Sequence, residues 1–342
     1  MSSPATRVSR STESEFVAMD GVMWPMFWLA TPVLIETVLT TLVGFVDTYL
    51  TGHFVPGEAP MAAIGLMAYS LWLLGNMFAA VSIGTTALVA RFVGAGKRNL
   101  AGRVVNQAFL CGALLAAVAV WLTWSCGPWF VRSMNLEGAA GQYAVEYLSI
   151  VTFVLPCIMV ERVGIAALRA AGDTFSGFLA MTLVNVVNAV VGMALVTGWG
   201  AAPKLGWRGL AFGTAAGHVV GAGLILALLL MGRCGMRLTW KGLRPNRTLI
   251  YRLLRVGVPG AIDVLTINGC HLWFLGIVNG LGTLAAAAHS LTIRVESIAY
   301  LPGGAFGVSA ATMAGQYLGA NDRTRARQSI WANFAVGAIV MS

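Results

Sequence analysis

Apolar runs about as long as a bilayer is thick alternate with short polar stretches along this chain. Eight complete runs cover residues 24–50, 61–90, 104–125, 143–168, 175–198, 208–231, 256–280 and 284–316, and a ninth begins near 327. About 20 residues of α-helix cross the ~30 Å of bilayer hydrocarbon. None of the runs alternates apolar with polar as a barrel strand does, and backbone in lipid must satisfy its own hydrogen bonds. The pattern predicts transmembrane helices. Residues 1–20 are polar and read as a disordered cytoplasmic tail; the first apolar run is too long for a secretory signal, and no small-residue cleavage site follows it.

The polar segments between runs repeat. RFVGAGKRNLAGRVVNQAFLCGA (91–113) aligns with QYLGANDRTRARQSIWANFAVGA (316–338) at an offset of 225, matching Gly94 with Gly319, Arg98 with Arg323 and Phe109 with Phe334. Upstream the offset becomes 227, where Pro32 faces Pro259 and Glu36 faces Asp263. Six spans separate equivalent positions. An even number returns the chain to the same side, so the two copies share orientation around an axis along the membrane normal, as transporter repeats do. The expected fold is all-α and integral to the membrane: two pseudo-symmetric six-helix bundles, the second truncated. The expected division is a first lobe at 21–231 (spans 1–6), a basic cytoplasmic linker at 232–250, and a partial second lobe at 251–342 (spans 7 and 8 and the start of 9). A full second lobe would end near residue ~450–460. A protein stopping at Ser342 is expected to transport poorly or not at all.

Composition agrees: 58% hydrophobic residues and only 10% charged, with a mean hydropathy of +0.78, against ~25% charged in soluble domains. The net charge of +9 suggests nucleic acid until its distribution is followed. Of 22 Lys and Arg, 18 fall in the N-terminal tail, in 91–103, at Arg162 and Arg169, in 233–255 and in 323–327. Every second loop is basic, which places the N-terminus and those loops in the cytoplasm and predicts a multi-pass protein of the bacterial inner membrane. The five cysteines lack metal spacing and read as packing residues. Phosphate-binding motifs are missing, so ATP is not the expected energy source. Four scattered histidines give no clustered catalytic site, which argues against a membrane enzyme.

Several stretches resemble the multidrug and toxic compound extrusion (MATE) family. LVGFVDTYLTGHF (42–54) is similar to the end of its first helix, SIGTTALVARFVGAGKRNLA (82–101) to the end of its second, LRAAGDT (168–174) to its helix 4–5 loop, and AAHSLTIRVESIAYLPGGAFGVSAATMAGQYLGAND (287–322) to its eighth helix. The resemblance is closer to the DinF-like branch than to NorM. It implies two six-helix lobes that alternate in access and export organic cations or other amphiphiles in exchange for H+ or Na+, with no other cofactor. It also implies drug-like small-molecule substrates, a lipid bilayer as the only other partner, no nucleic acid, and a monomer. A lipid or lipid-linked oligosaccharide flippase of the same superfamily is the alternative, disfavoured because Arg294 is the only basic residue deep in a span.

Acidic residues within spans are costly and mark function. Asp47 follows Glu36 by eleven residues, about 20° around a helix, so the two share a face. In the DinF-like branch the first-helix aspartate belongs to a cation-binding cluster, and the resemblance assigns that role to Asp47 with Asn188, joined by Asn185; Glu36, on the same face of the helix as Asp47, is a further coupling candidate. That branch has a second aspartate four residues after the asparagine; here Gly192 stands there, which weakens a sodium site. The NorM-like glutamate is also missing: position 267 is Ile, followed by Asn268. In the second lobe Asp263, Glu296, His289 and Asn268 are candidates for coupling or the cavity. Glu36 and Asp263 read as structural or gating residues. Glu161 and Arg162 read as a salt bridge facing a loop. Trp72, Met77 and Tyr147 are candidates for the substrate cavity, and Trp124, Trp129, Trp199 and Trp207 for interfacial anchors.

Overall fold

The computed structural model describes residues 21–134, 136, 138–280 and 283–342; of 272, 275, 276, 279, 280 and 283–299 it describes the backbone alone. The described residues form eleven α-helices. They are α1 (Met23–Phe54), α2 (Glu58–Asn76), α3 (Ala79–Gly94), α4 (Arg98–Ser133), α5 (Gly138–Thr152), α6 (Leu155–Ala170), α7 (Phe175–Thr197), α8 (Trp207–Leu230), α9 (Arg247–Gly280), α10 (Thr283–Gly319) and α11 (Arg323–Met341). Five of these are long and apolar enough to cross a membrane, or six if the bent pair α5–α6 is one span. Many large apolar side chains face outward, among them Trp28, Trp121, Trp124, Trp129, Phe153 and Trp199. An apolar exterior on this scale is a surface made for lipid.

Two runs that the pattern predicts as single spans are broken. Residues 61–90 form α2 and α3, and 143–168 form α5 and α6, which meet at 58°. Pro156 explains the second break: it sits in the first turn of α6, where its missing N–H costs nothing, and it cannot continue α5. At both breaks the backbone tightens to i→i−3 bonds, Phe78 N–H to Gly75 O (3.4 Å) and Val154 N–H to Val151 O (2.9 Å).

The internal repeat is visible atom by atom. Helix α3 ends with Gly96 at φ +70°, and α10 ends with Asn321, its counterpart 225 residues on, at φ +63°. Each terminus is closed by a six-to-one bond, Lys97 N–H to Phe92 O and Asp322 N–H to Tyr317 O, at 2.8 and 2.9 Å. Glycine and asparagine are the two residues that tolerate this left-handed turn best.

α3 and α10 then cross each other. Gly94 lies against the carbonyl of Gln316, and Gly319 against the carbonyl of Arg91, which is the repeat counterpart of Gln316. A side chain at either glycine would hold the helices apart. Farther along, Gly84 lies against the carbonyl of Leu253, while its counterpart Ser309 donates to the carbonyl of Met26, the counterpart of Leu253, at 3.4 Å. The α3–α9 contact and the α10–α1 contact are therefore two copies of one interface, related by an axis between Gly94 and Gly319. The lobes meet at the end of the molecule that carries the basic segments 95–98, 233–247 and 320–325.

The segment after α8 is strapped to the first lobe. Asn106 of α4 donates to Arg237 O (3.0 Å) and accepts from Thr239 N–H (2.8 Å). Gln107 donates to Gly242 O (2.7 Å) and Arg244 O (2.9 Å) and accepts from Asn246 N–H (2.8 Å). Asp173 caps α7 through Ser176 N–H (3.0 Å) and pairs with Arg233 at 2.7 Å. Two buried side-chain amides thus satisfy the backbone of a segment with no regular structure beyond two short 3-10 turns.

Candidate functional site

Helix α8 sets the geometry of the first lobe's interior. Glycines recur every fourth residue, at Gly209, Gly213, Gly217 and Gly221, and all four meet α7. A Cβ on Gly213 would lie 2.6 Å from the Cα of Gly192, and one on Gly217 would lie 2.7 Å from Val184 O. A stripe of small residues lets two helix backbones touch. Thr214 and His218 each directly follow a stripe glycine, one turn apart, and so share a face of α8. On α1, Glu36, Val43, Asp47 and Leu50 form the buried stripe.

Four helices converge on Asp47, which is 2% exposed. Its Oδ2 accepts from Tyr147 of α5 (2.8 Å) and from Thr214 of α8 (2.8 Å), and its Oδ1 accepts from Asn188 of α7 (3.1 Å). Asn188 also donates to the Thr214 hydroxyl at 3.0 Å. All three partners are neutral. The Tyr147 and Thr214 oxygens are 3.0 Å apart. With Asp47 ionised, both hydroxyls donate to it. With Oδ2 protonated, the three O–H groups close a ring: Asp47 donates to Thr214, Thr214 to Tyr147, and Tyr147 back to Asp47. Only hydrogens re-point, so one heavy-atom arrangement satisfies both charge states. Asn188 Oδ1 is buried with no hydrogen-bond partner.

Residues expected to act together are divided by the structure. Asn188 joins Asp47, but Asn185 donates instead to Leu39 O (2.9 Å) and Met181 O (2.8 Å). Glu36 pairs with Arg169 of α6 at 2.6 Å, near the basic-loop end. A Cβ at Gly192 would rest in ordinary contact with Leu50 Cδ1 at 3.4 Å and the Cα of Gly213 at 4.0 Å. Tyr147 is a partner of Asp47 rather than a wall of an open cavity. Trp72 is half exposed and leans on Tyr69 at 5.5 Å, and Met77 packs on the core at the α2–α3 break. In α9, Asp263 is exposed, while Asn268 is buried with Nδ2 unpartnered. The side chains of His289 and Glu296 lie outside the described residues.

Two expectations need correction. Glu161 does not form a loop-facing bridge with Arg162. It is 3% exposed and pairs with His218 at 2.8 Å, because adjacent helical residues point to different faces. Trp207 is no interfacial anchor: it is 5% exposed and donates to Tyr143 O at 2.8 Å. Thr214 and His218 escaped the sequence reading altogether. Their signal was present in the fourfold glycine spacing of α8, which marks the contact face and hence the polar residues beside it.

The MatE family model matches residues 32–194 and 259–342. This chain belongs to the MatE family. Members of that family are transporters, not enzymes. The chain is 33% identical over 302 residues to a protein of Thermotoga maritima named probable multidrug resistance protein NorM, covering 86% of this chain and 63% of that one. It is 24% identical over 322 residues to probable multidrug resistance protein YoeA of Bacillus subtilis, covering 91% and 68%. The MatE chain described here thus spans under two thirds of the Thermotoga relative's length. Among solved structures, it superposes with a TM-score of 0.83 and 22% identity on a MOP superfamily transporter from Pyrococcus furiosus described as having a binding pocket of reverse polarity, covering 92% of this chain and 69% of that one. It superposes equally, at 0.83 and 21% identity, on an outward-facing multidrug resistance MATE family transporter, again covering 92% and 69%. At these identities the two structures share its fold.

Proposed function

We propose that the protein exports small organic cations or amphiphiles across the bacterial inner membrane in exchange for an entering proton, and that Asp47 carries that proton. The Asp47 cluster is the observation behind this reading. A carboxylate shut inside a membrane bundle with only neutral partners is costly when charged, and the hydroxyl ring with Tyr147 and Thr214 (2.8, 2.8 and 3.0 Å) accepts the neutral form without rearrangement. Gly192 removes a carboxylate that would help bind sodium, which favours H+ over Na+.

The basic segments are cytoplasmic in this reading, as is the N-terminus. The lobes touch at that end, so the conformation is closed inward, and Asp47 lies toward the outer end of α1. Proton binding can drive transport only by favouring one conformation over the other. Neutralising Asp47 removes the charge that its four-helix site must hold, and that site is assembled in the inward-closed form. The protein acts as a monomer, with lipid around it.

The test is efflux of a fluorescent organic cation from vesicles containing the full-length protein, driven by an imposed pH gradient. Asp47→Asn keeps the size and the Tyr147 and Thr214 contacts but cannot release a proton. Its export should fall to the level of protein-free vesicles, with normal expression. Wild-type rates in that variant would end the assignment of Asp47.

A further inference from the structure

One turn from the Asp47 cluster toward the basic-loop end, the first lobe holds a second titratable group that its family resemblance does not assign. Glu161 of α6 and His218 of α8 meet at 2.8 Å (Nδ1 to Oε2), with side chains 4% and 13% exposed. The second carboxylate oxygen of Glu161 is buried with no hydrogen-bond partner and lies against Gly221. An unpaired charged acceptor in an apolar interior is costly, and a proton on that oxygen would relieve the cost. The free oxygen is where another proton would go.

The pair is tied to Asp47 through α8. Thr214, which donates to Asp47 (2.8 Å), is four residues before His218 on the same face, a rise of ~6 Å. His218 also lies within electrostatic reach of Asp47. Toward the basic-loop end, Arg162 is in reach of Glu161, Glu36 and Arg169. Cys157 lies one turn before Glu161 and feels its charge. Helix α7, which presents Val184 to Gly221, has no ionisable side chain anywhere along its length. The other elements packed on α6 and α8 carry further titratable groups, among them Tyr69 of α2, Arg91 of α3, Cys111 of α4, Glu146 and Tyr147 of α5 and Tyr317 of α10.

We propose that Glu161 and His218 form a second proton-binding site in series with Asp47, so that the carboxylate missing at position 192 is replaced from a different helix and at a different depth. The proposal rests on Asp47 being the coupling group. Holding one proton between them, the two side chains are neutral overall, as imidazolium and carboxylate. Taking up one more on Glu161 Oε1 leaves the pair at +1. When Asp47 gives up its proton to this pair, one O–H bond breaks at Asp47 and one forms at Glu161, and the total charge of the three groups is unchanged. The resulting +1 pair sits beside the carboxylate that has just become negative.

The test is infrared difference spectroscopy of the full-length protein in lipid, titrated with acid and read in the protonated-carboxyl region, alongside the pH profile of gradient-driven efflux. Wild type should show two buried carboxyl signals. Asp47→Asn removes one and Glu161→Gln the other. His218→Gln should displace the Glu161 signal, because it removes the charge partner at hydrogen-bond distance. Gly221→Ala, which pushes on Glu161 without removing any titrating group, should shift that signal while keeping it. The efflux profile should move in His218→Gln and Glu161→Gln. A spectrum in Glu161→Gln identical to wild type, with an unchanged efflux profile, would show that the pair stays ionised and merely packs the lobe. Absence of proton-driven efflux in the wild type would instead end the exchange reading, and the two-signal spectrum would still be scored by itself.

Discussion

The crossing of α3 and α10 offers the most quantitative test of how the lobes close. Alanine at Gly94 would place its Cβ 2.5 Å from the carbonyl carbon of Gln316 and 2.6 Å from its Cα. Carbon atoms rest at ~3.5 Å or more, so the helices must part by about 1 Å. Alanine at Gly319 runs into the carbonyl oxygen of Arg91, with Ala95 N at 2.9 Å and the carbonyl carbon of Arg91 at 3.0 Å, and it demands a comparable movement of about 1 Å. Neither obstacle is a flexible side chain, so the strain falls on the interface. Overpacking of this kind costs about 1–3 kcal/mol, which disfavours the inward-closed conformer by roughly 5- to 150-fold. Spin labels at Arg103 of α4 and Gln328 of α11, both exposed, would report the gap between lobes by pulsed dipolar spectroscopy. Gly94→Ala and Gly319→Ala should each shift the distribution outward by a similar amount. The double variant should shift less than the sum, because a single separation relieves both clashes. Gly223→Ala, where an added Cβ meets nothing within 4 Å, is the control. An unchanged distribution in Gly94→Ala or in Gly319→Ala would refute the idea that this crossing is the closing contact.

Three further outcomes follow from particular contacts. Arg169→Ala strands Glu36, whose only ion-pair partner among the described residues is Arg169 (2.6 Å); this should lower stability by about 3–5 kcal/mol in a detergent melt, with Glu36→Gln in the same background recovering much of it. Asn106→Ala with Gln107→Ala should raise hydrogen exchange across 237–246, since those side chains hold that backbone (2.7–3.0 Å), while exchange in α7 stays protected. Burial, helped by the Asp173 carboxylate, pushes the Cys234 thiol up to about 11. Below that pH the thiolate is scarce, so maleimide labelling of Cys234 at neutral pH should lag a Thr324→Cys surface thiol by about 100-fold, recover as pH rises, and speed up in Asp173→Asn.

The helices, their membrane setting and the repeat were legible in the sequence because each depends on local pattern. Length and apolarity decide which segments can cross lipid, and a duplicated motif needs no coordinates to be noticed. The breaks in 61–90 and 143–168 were not legible, although Pro156 hinted at one. Unbroken apolarity hides a change of direction, because both halves face lipid and core in turn. Asp47 was legible as an acid where acids are costly, and Asn188 as its partner only through a family likeness.

What the sequence alone determined was which groups are too costly to bury without purpose: Asp47, Glu36 and Glu161 stand out in any apolar span. Their partners were decided by tertiary structure. Glu161 neighbours Arg162 in the chain yet pairs with His218, because a helix turns adjacent side chains apart and the glycine stripe of α8 draws another helix close. Glu36 and Asp47 lie on one face of α1 yet serve different clusters, since that face runs past α6 at one end and past α5, α7 and α8 at the other. Pairing depends on how backbones approach, and approach is set by packing among segments far apart in the chain.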